Sequence, residues 1–566
     1  MADPTIDMPA HQEEAYSLHK AGRFAEAQAI YKTILKSKAE NADVLGLLAM
    51  AQYQLNDVNL AIESWRASLS CPADAMIQIR NANNYLTAIL KQPASDSKQV
   101  IPDFQVPPWP KAIAPDAGQK NMVLSLARGL EKLGRQRAAL DFLESAMELV
   151  KHDIEFFRKS LRIILEAGYP ERAEIHLKTV DASWKTDGEL LLLQAALANI
   201  TGRSEECLAL AERAMHALPV LATGKFPTQK YLLCILSRAP KRVLEPIGSP
   251  EFHFTENSPA GLAKNFTDQY RFMSVFPEAA TARDALAGYP SPDIVINNWV
   301  NAELLSTPDR LSFISNFADG LGRPVLNHPR EAAKTTRQRN AALLAGIPNL
   351  LVPPIVRFIN RSGDRAAIIR LVEGDIGFPA IIRDPFQQMG KEATRIGTRK
   401  ELEDLLKALP QIELYAIQYV HNPVSQDVFR KIRAAVVGKT IFISHVQLGE
   451  QWNVHRDRRE LVTGRPGFTG SVTGFADRIV DDPVATLGKP AMLALGEIRK
   501  RIPLDLYGID FDLMPDGRLL FFEANAAMNI SFRGRYGHQE VRARMHTALD
   551  QMFSETTASF KPDRGL

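Results

Sequence analysis

Small and apolar residues recur through the first 220 residues at a fixed spacing. Ala15, Ala27, Tyr31 and Leu35 return as Ala49, Ala61, Trp65 and Leu69, each 34 positions later. At the same interval Gly134, Ala139 and Leu143 return as Gly168, Ala173 and Leu177, and again as Gly202, Cys207 and Ala211. Spacing within a copy is kept too, since Ala127, Ala139 and Leu143 stand in the relation of Ala15, Ala27 and Tyr31. A period of this length is one helical hairpin per copy: small residues let two helices approach, a glycine turns the chain, and Tyr, Trp or Leu fills the gap to the next copy. The pattern predicts an α-helical solenoid over 10–90 and 119–220. The Pro-rich stretch 91–118 reads as a break or linker between two arrays, and Pro219 falls where the last repeat ends.

Beyond Pro219 the period stops and short apolar runs take over. Strands are expected in KRVLEPIG from Lys241, PDIVINNWV from Pro292 and RPVLNHP from Arg323, with helices over 259–274 and 308–320. Alternating β and α at this spacing argues for a small parallel sheet in a domain over 238–330. From Pro353 the pattern is richer in strands: IVRFI, AAIIRLV from Ala366, FPAIIR, YAIQYV, FRKIRAAVV and TIFISHVQ. A helix over 490–501 then leads into LYGIDFDLM and RLLFFEANAAMN, joined by Pro515-Asp516-Gly517. That tripeptide between two apolar runs is a hairpin signal.

Composition narrows the classes. With 45% hydrophobic and 23% charged residues in 566, the chain is of globular type and long enough for several domains. The balance of 68 basic against 65 acidic residues does not suggest a nucleic-acid protein. Cys71, Cys207 and Cys234 are too few and scattered for a disulfide framework or a Cys-rich zinc site. The first residues lack the pattern of a secretory signal, and the most apolar stretch, 190–200, is too short to span a bilayer. A cytoplasmic protein without a membrane partner is the expectation. Neither a Walker motif nor a Gly-x-Ser-x-Gly elbow occurs.

The hairpin carries the strongest chemical signal. Asp510 is expected at the end of its first strand, and Glu523 and Asn525, two apart, share a face of the second. Three oxygen-bearing side chains thus converge within apolar sequence (Leu519, Phe521, Phe522), with only Arg518 nearby on the hairpin itself. Buried carboxylates are costly without a partner, and a hard cation such as Mg²⁺ accepts carboxylate and amide oxygens. A solvated rim of acids is the alternative.

Two resemblances sharpen this reading. The 34-residue hairpins resemble the tetratricopeptide repeat, which implies protein or peptide binding. GIDFDLMPDGRLLFFEAN resembles the magnesium hairpin of ATP-grasp enzymes, and the order of motifs over 295–553 is similar to theirs. The implied fold class is multidomain α plus α/β: a tetratricopeptide-like solenoid, a pre-ATP-grasp α/β domain over 238–330, ATP-grasp lobes over 331–556 and a tail over 557–566. The likeness implies ATP and Mg²⁺ as cofactors, with Asp510, Glu523 and Asn525 as metal ligands. It implies Arg383, where a lysine is usual, and Arg337, or else Lys334, as contacts to the nucleotide. Gln418, Tyr419 and Val420 would form the adenine hinge, and Gly390 and Lys391 would belong to the phosphate loop. Arg430 and Arg433 are read as facing a phosphate or acyl-phosphate from one face of their strand. An ADP-forming carboxylate ligase with a peptide or protein substrate on the repeats follows, with homo-oligomerisation open. Arg for Lys at 383 and a loop with one glycine keep open a nucleotide-binding adaptor without turnover.

Other polar residues take ordinary readings. His445, Trp452 and His455 read as structural, with substrate positioning by a histidine the alternative. The arginines at 456, 458, 459, 542 and 544 read as solvated surface, whereas Arg533 and Arg535 follow the hairpin closely enough to meet an anionic substrate.

Overall fold

The computed structural model describes residues 8–91, 104–150, 152–222, 231–237, 270–386, 393–425, 428–454, 475, 478–526 and 539–560. The chain divides into two compact units, and the division falls at Leu218 rather than at 238. The tail expected from 557 is the end of a helix that runs to Ser559.

The first unit is built of helix pairs. They are α1 (Met8–Lys20) with α2 (Phe24–Ser37), α3 (Ala42–Gln54) with α4 (Val58–Leu69), and α5 (Ala75–Ile89), which packs on α6 (Ala117–Lys132). α7 (Gln136–Met147), α8 (Ile154–Glu166), α9 (Pro170–Lys178), α10 (Gly188–Ile200) and α11 (Ser204–Ala217) complete the series. The residues that define the period are its core, for Ala15, Ala27, Tyr31, Ala49, Ala61 and Trp65 are all fully buried. Each tight turn needs a left-handed residue, and Gly22, Gly134, Gly168 and Gly202 supply it at φ of 76°, 74°, 83° and 76°. Asn56, 34 positions after Gly22, takes the same conformation at φ 67°, which asparagine tolerates better than other side chains. Several helices start on an Asn or Asp cap: Asn41, Asp74, Asp116, Asp153 and Asp187 each accept a backbone N–H of the first turn.

The Pro-rich segment does not divide this array. Phe104 and Trp109 are buried in an apolar core that runs from Ala49 to Leu197. Ser145 accepts the Trp109 backbone N–H at 2.8 Å, and the Ile113 carbonyl accepts its indole N–H at 2.6 Å. The segment's aromatics therefore complete the core where a regular repeat is missing.

The second unit holds three sheets. β1 (Val220–Ala222), β2 (Tyr231–Leu236), β3 (Tyr270–Val275), β4 (Ile294–Asn297) and β5 (Val325–Leu326) form one in the order β1-β3-β2-β4-β5, parallel except for β1. Strand β3 occupies part of the helix expected over 259–274, whose first residues lie outside the described ones, as does the strand expected from Lys241. Helix α12 (Ala302–Leu305) follows β4, and α13 (Pro308–Asp319) meets the helix expected over 308–320.

The second sheet is antiparallel in the order β7-β10-β8-β9, from β7 (Ile355–Ile359), β8 (Ala380–Arg383), β9 (Thr394–Ile396) and β10 (Glu413–Gln418). It has its own small core, which includes Phe358, Val372, Ile382 and Leu406. The run from Ala366 is not a strand but helix α14 (Arg365–Asp375). Ile368, Ile369 and Val372 are its buried residues, the spacing of one helical face, and a short apolar run hides that period.

The third sheet orders β11 (Pro423–Ser425), β12 (Val428–Val437), β14 (Leu506–Leu513), β15 (Leu519–Asn525) and β6 (Leu350–Leu351), and β13 (Thr440–Gly449) also pairs with β12. Helix α15 (Lys489–Arg501) leads into the β14–β15 hairpin, and Asp510 sits inside β14 rather than at its end. The first and third sheets share one apolar core, from Val220 to Phe553.

Candidate functional site

Strand register assembles the site. Asp510 lies opposite Glu523 across the hairpin and opposite Arg433 on the other side, and Asn525 lies opposite Gly508. The three oxygen-bearing residues of the hairpin are therefore brought together. What the sequence pattern did not supply is the set of cations around them.

Arg433 grips Asp510 with both arms of its guanidinium, Nε donating to Oδ1 at 2.7 Å and Nη2 to Oδ2 at 2.8 Å. Lys431, two residues away on the same strand, stands 3.5 Å from Oδ2. Burial disfavours the Asp510 charge, but the neighbouring Arg433, Lys431 and His445 outweigh it and hold the carboxyl below its ordinary range. His445 lies opposite Arg433 on β13, so a residue read as structural borders this pair.

Glu523 is paired differently. Nη2 of Arg337 donates to its Oε2. Arg337 opens helix α16 (Arg337–Leu344), capped by the Thr336 hydroxyl. Asn340 on that helix donates to the carbonyls of Ala524, at 2.8 Å, and Thr335, at 3.1 Å, which fixes the helix against β15. Burial raises the Glu523 carboxyl, but Arg337 first, and then Arg383 and Arg433, bring it below its ordinary value.

Arg383 ends β8 opposite Tyr415. Burial, then repulsion from Arg337, lowers its guanidinium to about 10, against the attraction of Glu523 and Glu303. Gln418 lies three pairs along the same ladder, about 10 Å away at the usual strand rise. The backbone N–H groups of Gln418 and Tyr419 are bonded to the carbonyls of Pro354, at 2.9 Å, and Pro379, at 3.0 Å. The phosphate-loop residues Gly390 and Lys391 lie outside the described residues, as do His455 and the arginines at 456, 458, 459, 533 and 535.

Arg430 and Arg433 do not share a target. Residues three apart fall on opposite faces of a regular strand, which corrects their assignment to one face. Arg430 donates to Asp512 at 2.6 Å and to the Leu513 carbonyl at 3.0 Å.

Two carboxylates escaped the sequence reading. Asp512 is fully buried, bonded to Arg430 and, at 2.7 Å, to Asn422. Burial raises it to about 6 despite these partners. Glu303, on α12, is buried and accepts from the Arg337 N–H at 3.1 Å, the Tyr415 hydroxyl at 2.8 Å and Arg357 at 3.0 Å. It thus ties the first sheet's lobe to the second and to the helix that carries Arg337. An acid in the apolar run VNAELL was the available signal for Glu303, and alternation with Asp510 was the signal for Asp512.

The donors fit a hard cation. Asn525 Oδ1 is buried with no hydrogen-bond partner, two residues from Glu523 on β15. Carboxylate and amide oxygens are the ligands Mg²⁺ takes alongside phosphates and water. Among the described residues no group of three or more His, Cys, Asp or Glu could hold a metal ion. Nor, among them, is any helix long and apolar enough to cross a membrane.

The tetratricopeptide repeat family model matches residues 18–64. No curated protein matches the sequence. Among solved structures, the VanG D-Ala:D-Ser ligase from Enterococcus faecalis is 12% identical with a TM-score of 0.35, covering 57% of this chain and 99% of its own. The ATP-grasp ligase PsnB, complexed with a precursor peptide and AMPPNP, is 16% identical with a TM-score of 0.31, covering 57% and 98%. D-cycloserine synthetase DcsG is 14% identical with a TM-score of 0.37, covering 57% and 99%. By repeat pattern and family model the first unit is a tetratricopeptide-type array, and it is followed by a unit of mixed sheets.

Proposed function

We propose that this chain is an ATP- and Mg²⁺-dependent ligase that activates a carboxylate as an acyl-phosphate and passes it to an amine, hydroxyl or thiol. One observation carries the reading: Glu523 and the unpartnered Asn525 amide oxygen, with Asp510 beside them, lie among Arg337, Arg383 and Arg433. Few structural needs call for an orphaned buried oxygen beside so many cations, whereas a nucleotide's phosphates need both kinds of partner. A divalent ion held by the hairpin oxygens would neutralise phosphate charge during transfer.

The chain's own residues do the rest. Arg337, released from Glu523, and Arg383 bind phosphate oxygens, and Gln418, Tyr419 and Val420 border the base. Arg433 faces the transferred phosphoryl group and the oxyanion that follows. Arg430, bound to Asp512, holds the start of β12 and orients Arg433. The helical array supports a peptide or protein as substrate: an extended surface of stacked hairpins exceeds what two small metabolites require.

A ligase releases ADP and phosphate only when both substrates are present, and hydroxylamine traps its acyl-phosphate. Glu523→Ala and Asn525→Ala abolish turnover without unfolding the chain. A fragment of residues 218–566 keeps ATP binding and loses affinity for the peptide partner; full-length rates from that fragment would remove the array from substrate binding. The buried grip of Arg433 on Asp510 favours one second reading, a nucleotide-binding adaptor that does not turn over. ADP formation with the partner peptide separates the two.

A further inference from the structure

The hairpin's two carboxylates are held unequally. Both Asp510 oxygens are taken by the Arg433 fork, and Lys431 adds a second cation on Oδ2. The Asp510 side chain is 2% exposed and that of Arg433 14%. Separating such a pair strips two buried charges at once, which protein interiors resist strongly.

Glu523 is different on each count. It is held by one arm of Arg337, and both side chains are 22% exposed. Arg337 also gains an alternative partner as soon as a phosphate arrives. Two residues along β15, on the same face, Asn525 Oδ1 is buried without a donor.

Resting on the ATP reading above, we propose that the hairpin holds a single divalent cation through Glu523 and Asn525, and that Arg433 withdraws Asp510 from metal binding. Asp510 then acts as a positioning residue: it fixes the guanidinium of Arg433 toward the reacting phosphate and contributes no oxygen to the metal.

Manganese tests this directly, because its paramagnetism reports both count and proximity. The full-length protein, saturated with AMPPNP, is titrated with Mn²⁺, and free and bound ion are followed by electron paramagnetic resonance. One bound Mn²⁺ per chain without spin coupling is expected. Asp510→Asn should keep that count and affinity, whereas Glu523→Gln should lose the ion. Two bound ions with a coupled spectrum, falling to one in Asp510→Asn, would overturn the inference and leave the ATP reading standing. Absence of any bound nucleotide would overturn the ATP reading and this inference with it. The wild-type count decides even where a variant fails to fold.

Discussion

The helical array and the three-sheet unit solve burial in opposite ways. In the array the buried positions are small or apolar, and charged side chains mostly cap helices or bridge them. Asp153, for instance, caps α8 and accepts from Lys120 at 2.7 Å. In the sheet unit ionic groups are drawn inside and matched: Asp510 to Arg433, Asp512 to Arg430, Glu303 to Arg357. Stability alone does not explain the second choice, since buried ion pairs rarely outdo apolar packing. The proposed chemistry would explain it, because fixed charges in a shielded site act strongly on phosphate.

The sharpest way to break this comparison is to remove one cation. Arg433→Ala strips buried Asp510 of both guanidinium hydrogen bonds and leaves Lys431 as its nearest cation, and the sheet unit should lose about 3 kcal/mol. The matching change in the array is Trp109→Ala, which empties an aromatic site in the core and should cost a similar ~3–5 kcal/mol there. Hydrogen exchange resolved by peptide should show each loss confined to its own unit. If Arg433→Ala weakens both units equally, the two do not stand on separate cores.

The same contrast decides what could be read from sequence. Repeats repeat, so period, turns and core residues of the array were visible without any structure. Only the aromatics of the Pro-rich segment misled, because Phe104 and Trp109 pack outside the 34-residue pattern. In the sheet unit local signals sufficed for most strands and for the β14–β15 hairpin. They failed at Ala366, where a short apolar run fits helix and strand alike. Asp510, Glu523 and Asn525 were legible because they share one hairpin. Their cations were not, since Arg433 meets Asp510 through strand pairing across 77 residues, and Arg337 meets Glu523 across 186. No local pattern carries that register.

A smaller test lies in the array's turns. Gly168 holds φ 83°, so Gly168→Ala should cost about 1–2 kcal/mol. Calorimetry should show a lower melting temperature for the array's transition and none for the sheet unit's.

Proton linkage gives the smallest effect. Burial raises Glu166 on α8 to about 7, so the folded array binds this proton more tightly than the unfolded chain. Its stability should therefore rise as pH falls through 7, with the gain complete below the ordinary glutamate value. For a partly exposed group, roughly 1 kcal/mol is expected, or ~2–4 °C in melting temperature between pH 7.5 and 5. Asp512, raised to about 6, adds a gain of the same sign in the sheet unit over the same window. Asp510 and Glu523 are lowered instead, so their contribution is present above the ordinary carboxylate range and lost as pH falls below about 4. Below that pH the sheet unit should unfold first. Melting curves at pH 7.5, 5 and 3.5 check both directions.

The central claim is that the sheet unit's matched charges are built for a nucleotide with a divalent cation. Isothermal titration of the full-length protein with AMPPNP tests it most directly, run with Mg²⁺ and again with EDTA. The account predicts one nucleotide bound per chain in Mg²⁺, with binding sharply weakened by EDTA and by Glu523→Gln. Titrations that show no binding, or the same binding with and without the cation, would contradict it.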